Sequence, residues 1–354
     1  MNNDTKSHTV LHYRTHLMGI AALWIYLFHE WIPLAPNVPV LGFTEDFIKQ
    51  IGFFGVDIFF FLSGMGLTHA IEKYSLSVFY QRRFLRILPP YILTAIILML
   101  ANGWLFPQFL KHLFGVTFFT ENIYALLWFV PAISIFYLLF PLYHFIFKKA
   151  GNKILFTGVM LMLWLTASLL AAKHMRLDLF GFTNRIPIFL VGILIGSLGK
   201  KGVPAFPKWI WVLLFGIFIA GLATAYQTNY KGLYLLVPVS NCCVPNFLMA
   251  FSGTFLFAEI LKLCDTYGRK LGKIFLAVLR FFGTISFEFY CVQELVAEKI
   301  KHTLNGMFWD SITNAIMLVG VTVSALLLRF ACFLLQKAGT YLFKKIALAK
   351  KHEP

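Results

Sequence analysis

The chain has 354 residues, 59% of them apolar by count and only 13% charged, with 40 phenylalanines, and its mean hydropathy is positive. That composition excludes an ordinary water-soluble domain and places the chain among polytopic membrane proteins. A formal charge of +16 would suggest nucleic acid in a soluble protein, but here Lys and Arg alternate from loop to loop, which is the mark of a membrane topology and not of a nucleic-acid binder.

A spanning helix needs about 20 mostly apolar residues. Ten such runs, separated by short polar or Pro/Gly-containing breaks, lie near 15–34, 48–71, 84–105, 124–147, 154–172, 185–199, 209–226, 244–262, 280–301 and 311–336. The first closes on His29 and Glu30, an ionisable pair at the end of an otherwise apolar stretch. The second carries Asp57 among Gly55, Gly64 and Gly66, small residues that let helix backbones approach. Arg82, Arg83 and Arg86 precede the third, whose expected start contains Pro89 and Pro90. Trp128 stands near the start of the fourth, and Arg185 opens the short sixth. The eighth is blurred by Pro238 and Pro245. The ninth is unusually polar, with Ser286, Glu288, Gln293, Glu294 and Glu298; the last two glutamates are four apart and share a face.

With the N-terminus in the cytoplasm, the segments on that side hold 22 of the 31 Lys and Arg residues, those on the other side hold eight, and Arg329 falls inside the last helix. The positive-inside bias therefore predicts that both termini are cytoplasmic, which requires an even number of spans and agrees with ten. No small-residue cleavage motif follows the first run, so it reads as a retained helix and not a signal peptide. The five cysteines, Cys242 among them, form no C-x-x-C pair and have no histidine at metal spacing, so no metal is expected. There is no low-complexity tract and no evident repeat. Residues 1–354 thus read as a single integral-membrane domain with no fused periplasmic domain, an all-α bundle of about ten transmembrane helices.

Ionisable side chains inside a membrane are costly unless paired or wetted, so they mark the first place to look for function. They are His29 with Glu30, Asp57, Arg185, Glu288, Glu294 and Glu298. By orientation His29, Asp57 and Arg185 all fall in the outer half and are expected to share one outward-facing cavity. Asp57 has two readings: a buried partner of an arginine, or the carboxylate that orients and charges a histidine base. The arginine cluster at a helix entrance suits phosphates, which guanidinium forks bind in bidentate fashion; positive-inside anchoring explains part of it as well. The polar ninth helix lines either a cavity or a helix interface.

Taken together, these segments resemble the integral-membrane acyltransferase family 3, bacterial enzymes that O-acylate cell-surface polysaccharides, lipopolysaccharide and related glycans. MGIAALWIYLFH (18–29) is similar to that family's first-helix pattern, GFFGVDIFFFLSGMGL (52–67) to its G-V-D-F-F-L-S-G segment, and FYQRRFLRILPPYIL (79–93) to its arginine-rich element. LWFVPAISIFYLLFPL (127–142), NRIPIFLVGILIG (184–196) and FFGTISFEFYCVQ (281–293) resemble three further elements, in order.

The resemblance implies transfer of an acyl group, usually acetyl, from cytoplasmic acyl-CoA to a hydroxyl of a glycan or glycolipid reached from the outer face of the bacterial inner membrane. It implies no permanently bound cofactor, with acetyl-CoA as donor substrate. His29 then carries the transfer, as base or as transient acyl-imidazole, with Asp57 beside it. Arg82, Arg83, Arg86 and Arg14 bind the donor, while Glu30, Trp128, Arg185, Ser286, Glu288, Gln293 and Glu294 line the cavity or meet the acceptor. The sequence departs from the family where an arginine is usual eleven positions before the histidine. Met18 stands there, with Arg14 one turn earlier on the same stripe and able to substitute. Ile133 and Ser134 replace carboxylates of the fourth-helix motif, and Gln293 replaces a late histidine. With no appended periplasmic domain, the chain either acylates a membrane-proximal acceptor itself or passes the group to a separate protein. Two other readings stand beside this one: a transporter or permease for a glycolipid or acyl metabolite, and a non-catalytic member that binds CoA or glycan. The transporter lacks the expected inverted repeat.

Overall fold

The computed structural model describes residues 9–121, 127–171, 174, 179–199, 207–235 and 243–349, with side chains as far as residue 339. Pro238, Cys242, residues 124–126 of the fourth run and residue 172 of the fifth lie outside them. Among the described residues 88% are helical and none lies in a strand. After α1 (Thr9–His12) come α2 (Arg14–Glu30), α3 (Pro39–Gln50), a 3-10 turn at Ile51–Phe53, α4 (Phe54–Lys73) and α5 (Leu76–Asn102). The short α6 (Phe106–Leu113) and α7 (Val116–Thr120) lead to α8 (Phe129–Lys149), α9 (Lys153–Ala171), α10 (Phe180–Thr183) and α11 (Ile186–Gly199). The chain closes with α12 (Lys208–Lys231), α13 (Cys243–Tyr267), α14 (Arg269–Leu304) and α15 (Asp310–Ala349). Among the described residues nine helices, counting α3 with α4 and α10 with α11 as continuous, are long and apolar enough to cross a membrane. The 17-residue α2 is the remaining one of the ten predicted runs.

Two boundaries differ from the sequence reading for identifiable reasons. The second run begins earlier, because α3 continues into α4 through the 3-10 turn. The polar residues of α3 that hide it from a hydropathy reading are anchors: Glu45 accepts from the Trp31 indole at 2.6 Å and from the Leu34 backbone at 2.9 Å, and Lys49 donates to the Trp31 carbonyl at 3.0 Å. The third run also starts earlier, at Leu76 behind the Ser75 cap, so the three arginines lie within a helix and not at its entrance. Pro89 and Pro90 are interior. Proline at 89 leaves the Leu85 carbonyl without its helical donor, and the Gln336 amide takes that carbonyl at 3.1 Å, the kind of repair that lets proline persist in a membrane helix.

Close contacts fix the direction of each helix relative to its neighbours. Gly19 of α2 meets Gly283 of α14 and, further along both, Tyr26 meets Phe289, so α2 and α14 run parallel. Gly192 of α11 packs on the Phe61 backbone and Gly196 on Met65, which makes α4 and α11 parallel too. Gly52 against Trp24 and Gly55 against Ala21 make α2 and α4 antiparallel, and Gly221 against Met249 with Gly253 against Phe218 do the same for α12 and α13. These pairings are what strict up-down alternation of ten spans requires. Of the three glycines singled out in the second run, Gly55 and Gly64 mediate such approaches, whereas Gly66 faces the Arg14 guanidinium, 3.7 Å from where its Cβ would lie.

A Cβ at Gly283 would collide with the Thr15 carbonyl, and backbone cannot yield as a flexible side chain does. Gly283→Ala is therefore expected to destabilise the α2–α14 pair by at least about 1–3 kcal/mol, read as a lowered melting temperature in detergent. Gly158→Ala, with open space around the added methyl, is expected to leave melting unchanged or slightly raised; equal behaviour of the two variants would contradict this packing.

Candidate active site

A cavity of about 520 Å³ runs between α2, α4, α5, α8 and α14. Its α2 wall is Arg14, Met18, Ala22, Ile25 and His29, spaced four, four, three and four residues apart, which is a single helical stripe. Arg14 and His29 are fifteen residues apart, so at 1.5 Å per residue they mark two ends about 22 Å from each other.

At the first end Arg82, Arg83 and Arg86 of α5 join Arg14 in the wall. Arg86 is held by Glu288, with Nη1 3.0 Å from Oε1, and it also donates to the Thr284 carbonyl at 3.1 Å. Arg82 donates to the Tyr74 hydroxyl at 3.0 Å and lies over its ring. Arg83 sits by the Phe79 ring, and the Nε of Arg14 finds no hydrogen-bond acceptor. Among the described residues, no carboxylate lies within ion-pair distance of Arg14, Arg82 or Arg83, so this end carries uncompensated positive charge. Guanidinium groups in that state are ready receptors for phosphate.

At the second end the His29 Nδ1 lies 3.7 Å from the Glu294 Oε1, with about a third of each side chain accessible. The distance is one of charge contact and not of a formed hydrogen bond. Phe28 meets the His29 ring edge-on. Trp128 and Phe129 enter from α8, following Leu127 in a left-handed conformation with φ 70°. The Phe129 N–H, an orphan donor of the first helical turn, donates to the Tyr290 hydroxyl at 3.2 Å. Tyr290, Gln293 and Glu294 complete this part of the α14 wall, with Ser286 two turns back toward the arginine end.

The site residues expected from sequence divide into two groups. His29, the four arginines, Trp128, Ser286, Gln293 and Glu294 border the cavity, as does Met18 on the same stripe as Arg14. Asp57, Arg185, Glu288 and Glu30 do not. The expected common cavity for His29, Asp57 and Arg185 is therefore corrected: Asp57 and Arg185 pair with each other at 2.8 Å, each side chain 1% exposed, between α4 and α11. The reason lies in the period of α4, where Val56, Phe59 and Ser63 face the cavity. Asp57, one residue round the helix, faces α11 with Phe61 and Gly64. The carboxylate opposite His29 comes instead from α14, as Glu294. Glu288 is the partner of Arg86 at the other end, and Glu30 is buried at the end of α2. Among the wall residues not singled out from sequence are Tyr74, Phe129 and Tyr290. Tyr290 carried a usable signal, one turn before Glu294 and one turn after Ser286 on the polar helix.

The chain matches one protein family, that of the acyltransferase domain of type 3, over residues 15–334. No curated protein and no solved structure matches it significantly. The matched region begins one residue after Arg14 and takes in all five helices around the cavity, so the multi-pass helical protein described here belongs to the acyltransferase 3 family and is a membrane acyltransferase.

Proposed function

We propose that the protein moves an acyl group, in the first instance acetyl, from cytoplasmic acyl-CoA to a hydroxyl of a cell-surface glycan or glycolipid at the outer side of a bacterial inner membrane. The observation that carries the reading is one continuous cavity with unpaired arginines at one end and a histidine facing a carboxylate at the other. The phosphates of the donor bind Arg14, Arg82, Arg83 and Arg86, and its extended pantetheine arm reaches along Met18 and Ile25 to bring the thioester to His29. Positive-inside bias supports the polarity, since the arginine end belongs to the side richer in Lys and Arg. His29 takes the proton of the acceptor hydroxyl as that oxygen attacks the thioester carbonyl, and it returns the proton to the leaving thiolate. Glu294, facing Nδ1, holds the imidazole so that Nε2 meets the acceptor and steadies the imidazolium while it lasts. An attack by His29 itself, with an acyl-imidazole passing the group on, uses the same residues.

Membranes from cells expressing the chain, given acetyl-CoA labelled in its acetyl group, are expected to form base-labile ester on extractable glycan or glycolipid. Mass spectrometry of surface glycans with and without the gene should show a matching 42 Da per site, the mass of one acetyl added for one hydrogen. Label that crosses the membrane while no ester forms would instead identify a transporter.

A further inference from the structure

We propose that Gln293 is a catalytic residue whose side-chain amide donates the hydrogen bond that stabilises the oxyanion of acyl transfer; the proposal rests on the reading of His29 as the transferring centre. Gln293 is 1% exposed and borders the cavity, yet its Nε2 has no acceptor within the protein. A buried amide donor left unpaired is costly and uncommon, which makes it a donor held for something that is not part of the chain. It stands next to Glu294, the residue 3.7 Å from the His29 ring, so it belongs to the histidine end of the cavity. The neighbouring polar groups of α14 each make a bond or lack a donor. The Ser286 hydroxyl donates to the Gly283 carbonyl at 3.0 Å, the Tyr290 oxygen receives the Phe129 N–H, and Glu294 only accepts when ionised. Among the α14 groups at this end Gln293 is thus the buried donor that makes no hydrogen bond of any kind, whereas the Tyr290 hydroxyl already accepts one from Phe129.

Its chemistry fits the step. The acceptor oxygen forms a bond to the thioester carbonyl carbon while its proton passes to His29, and the C=O π pair moves onto the carbonyl oxygen. That oxygen becomes anionic and receives the Gln293 N–H. The pair then returns, the C–S bond breaks with its electrons on sulfur, and the His29 proton goes to the thiolate, leaving an ester and a free thiol. A donor fixed in a water-poor wall before the charge appears needs no reorganisation, which is why such groups matter so much in acyl transfer. A neutral amide suits this position better than a cation, because a cation beside Glu294 would draw that carboxylate away from His29.

The test uses full-length protein in membranes with labelled acetyl-CoA as donor. Gln293→Met, similar in shape and without a donor, is expected to lower kcat by about 10²–10³-fold while KM for acetyl-CoA changes little. Gln293→His, which retains an N–H, is expected to recover much of the rate. Folding is checked by gel filtration in detergent, and CoA binding by thermal shift. Should Gln293→Met fail to insert, Gln293→Glu, nearly isosteric and without an N–H when ionised, carries the same expectation. A kcat within threefold of wild type in a folded variant, a rise in KM at constant kcat, or no recovery with histidine would each overturn the proposal. Transfer surviving in His29→Ala sinks the parent reading; transfer lost in His29→Ala but retained in Gln293→Met sinks the oxyanion role alone.

Discussion

Replacing His29 by alanine is expected to reduce acyl transfer by at least about 10²–10⁴-fold, the usual contribution of a positioned general base, and to abolish it if the imidazole itself carries the acyl group. The fold should tolerate the change. His29 makes no hydrogen bond that closes a helix, it lies one residue from the end of α2, and about a third of its side chain is accessible. The α2–α14 contact rests on Gly19 and Gly283, ten and eleven residues away from His29 and Glu294 respectively. Melting in detergent and the CoA-induced thermal shift should therefore match wild type while ester formation disappears. Full activity of a correctly inserted His29→Ala protein would remove the histidine from the chemistry and leave the cavity as a binding site only.

Much of this arrangement is legible from the amino acids, and the parts that are not share a cause. The apolar runs and the alternation of Lys and Arg foretell a polytopic helical bundle and the relative directions of its helices, because bilayer thickness and the need to satisfy backbone polar groups leave few alternatives. His29, Arg82, Arg83 and Arg86 stand out because charge in such a chain is rare. Which carboxylate meets which cation is a different kind of question. Asp57, Glu288 and Glu294 look alike in sequence, yet they face Arg185, Arg86 and His29 respectively. Partner choice depends on a rotation of one residue, about 100° around a helix, and on which helices lie side by side. Neither α2 against α14 nor α4 against α11 is a neighbour in the chain. The early start of α5 at Leu76, which leaves Pro89 in the helix interior, was hidden for a similar reason, since the group that takes the carbonyl freed by Pro89, Gln336, is supplied by α15.

Asp57 gives that distinction a measurable form. Paired with Arg185 at 2.8 Å and sealed between α4 and α11, it is expected to act on stability first. Asp57→Ala leaves a buried guanidinium unpaired, a loss of about 3–5 kcal/mol, and the variant should express poorly, melt early and transfer little. Its failure alone would be indistinguishable from loss of a catalytic carboxylate. The double variant Asp57→Leu with Arg185→Met separates the two, because exchanging a whole buried ion pair for apolar residues of similar volume is often neutral or better. The double variant is expected to regain the wild-type melting temperature and most of the transfer rate, since neither side chain borders the cavity. Part of the rate stays lost, because Arg185 also lies over Phe53, 4.8 Å from its ring centre, and Phe53 does border the cavity and packs on Phe28 beside His29. A double variant that melts like wild type but is as inactive as His29→Ala would return Asp57 to the chemistry and displace Glu294 as the carboxylate that serves His29.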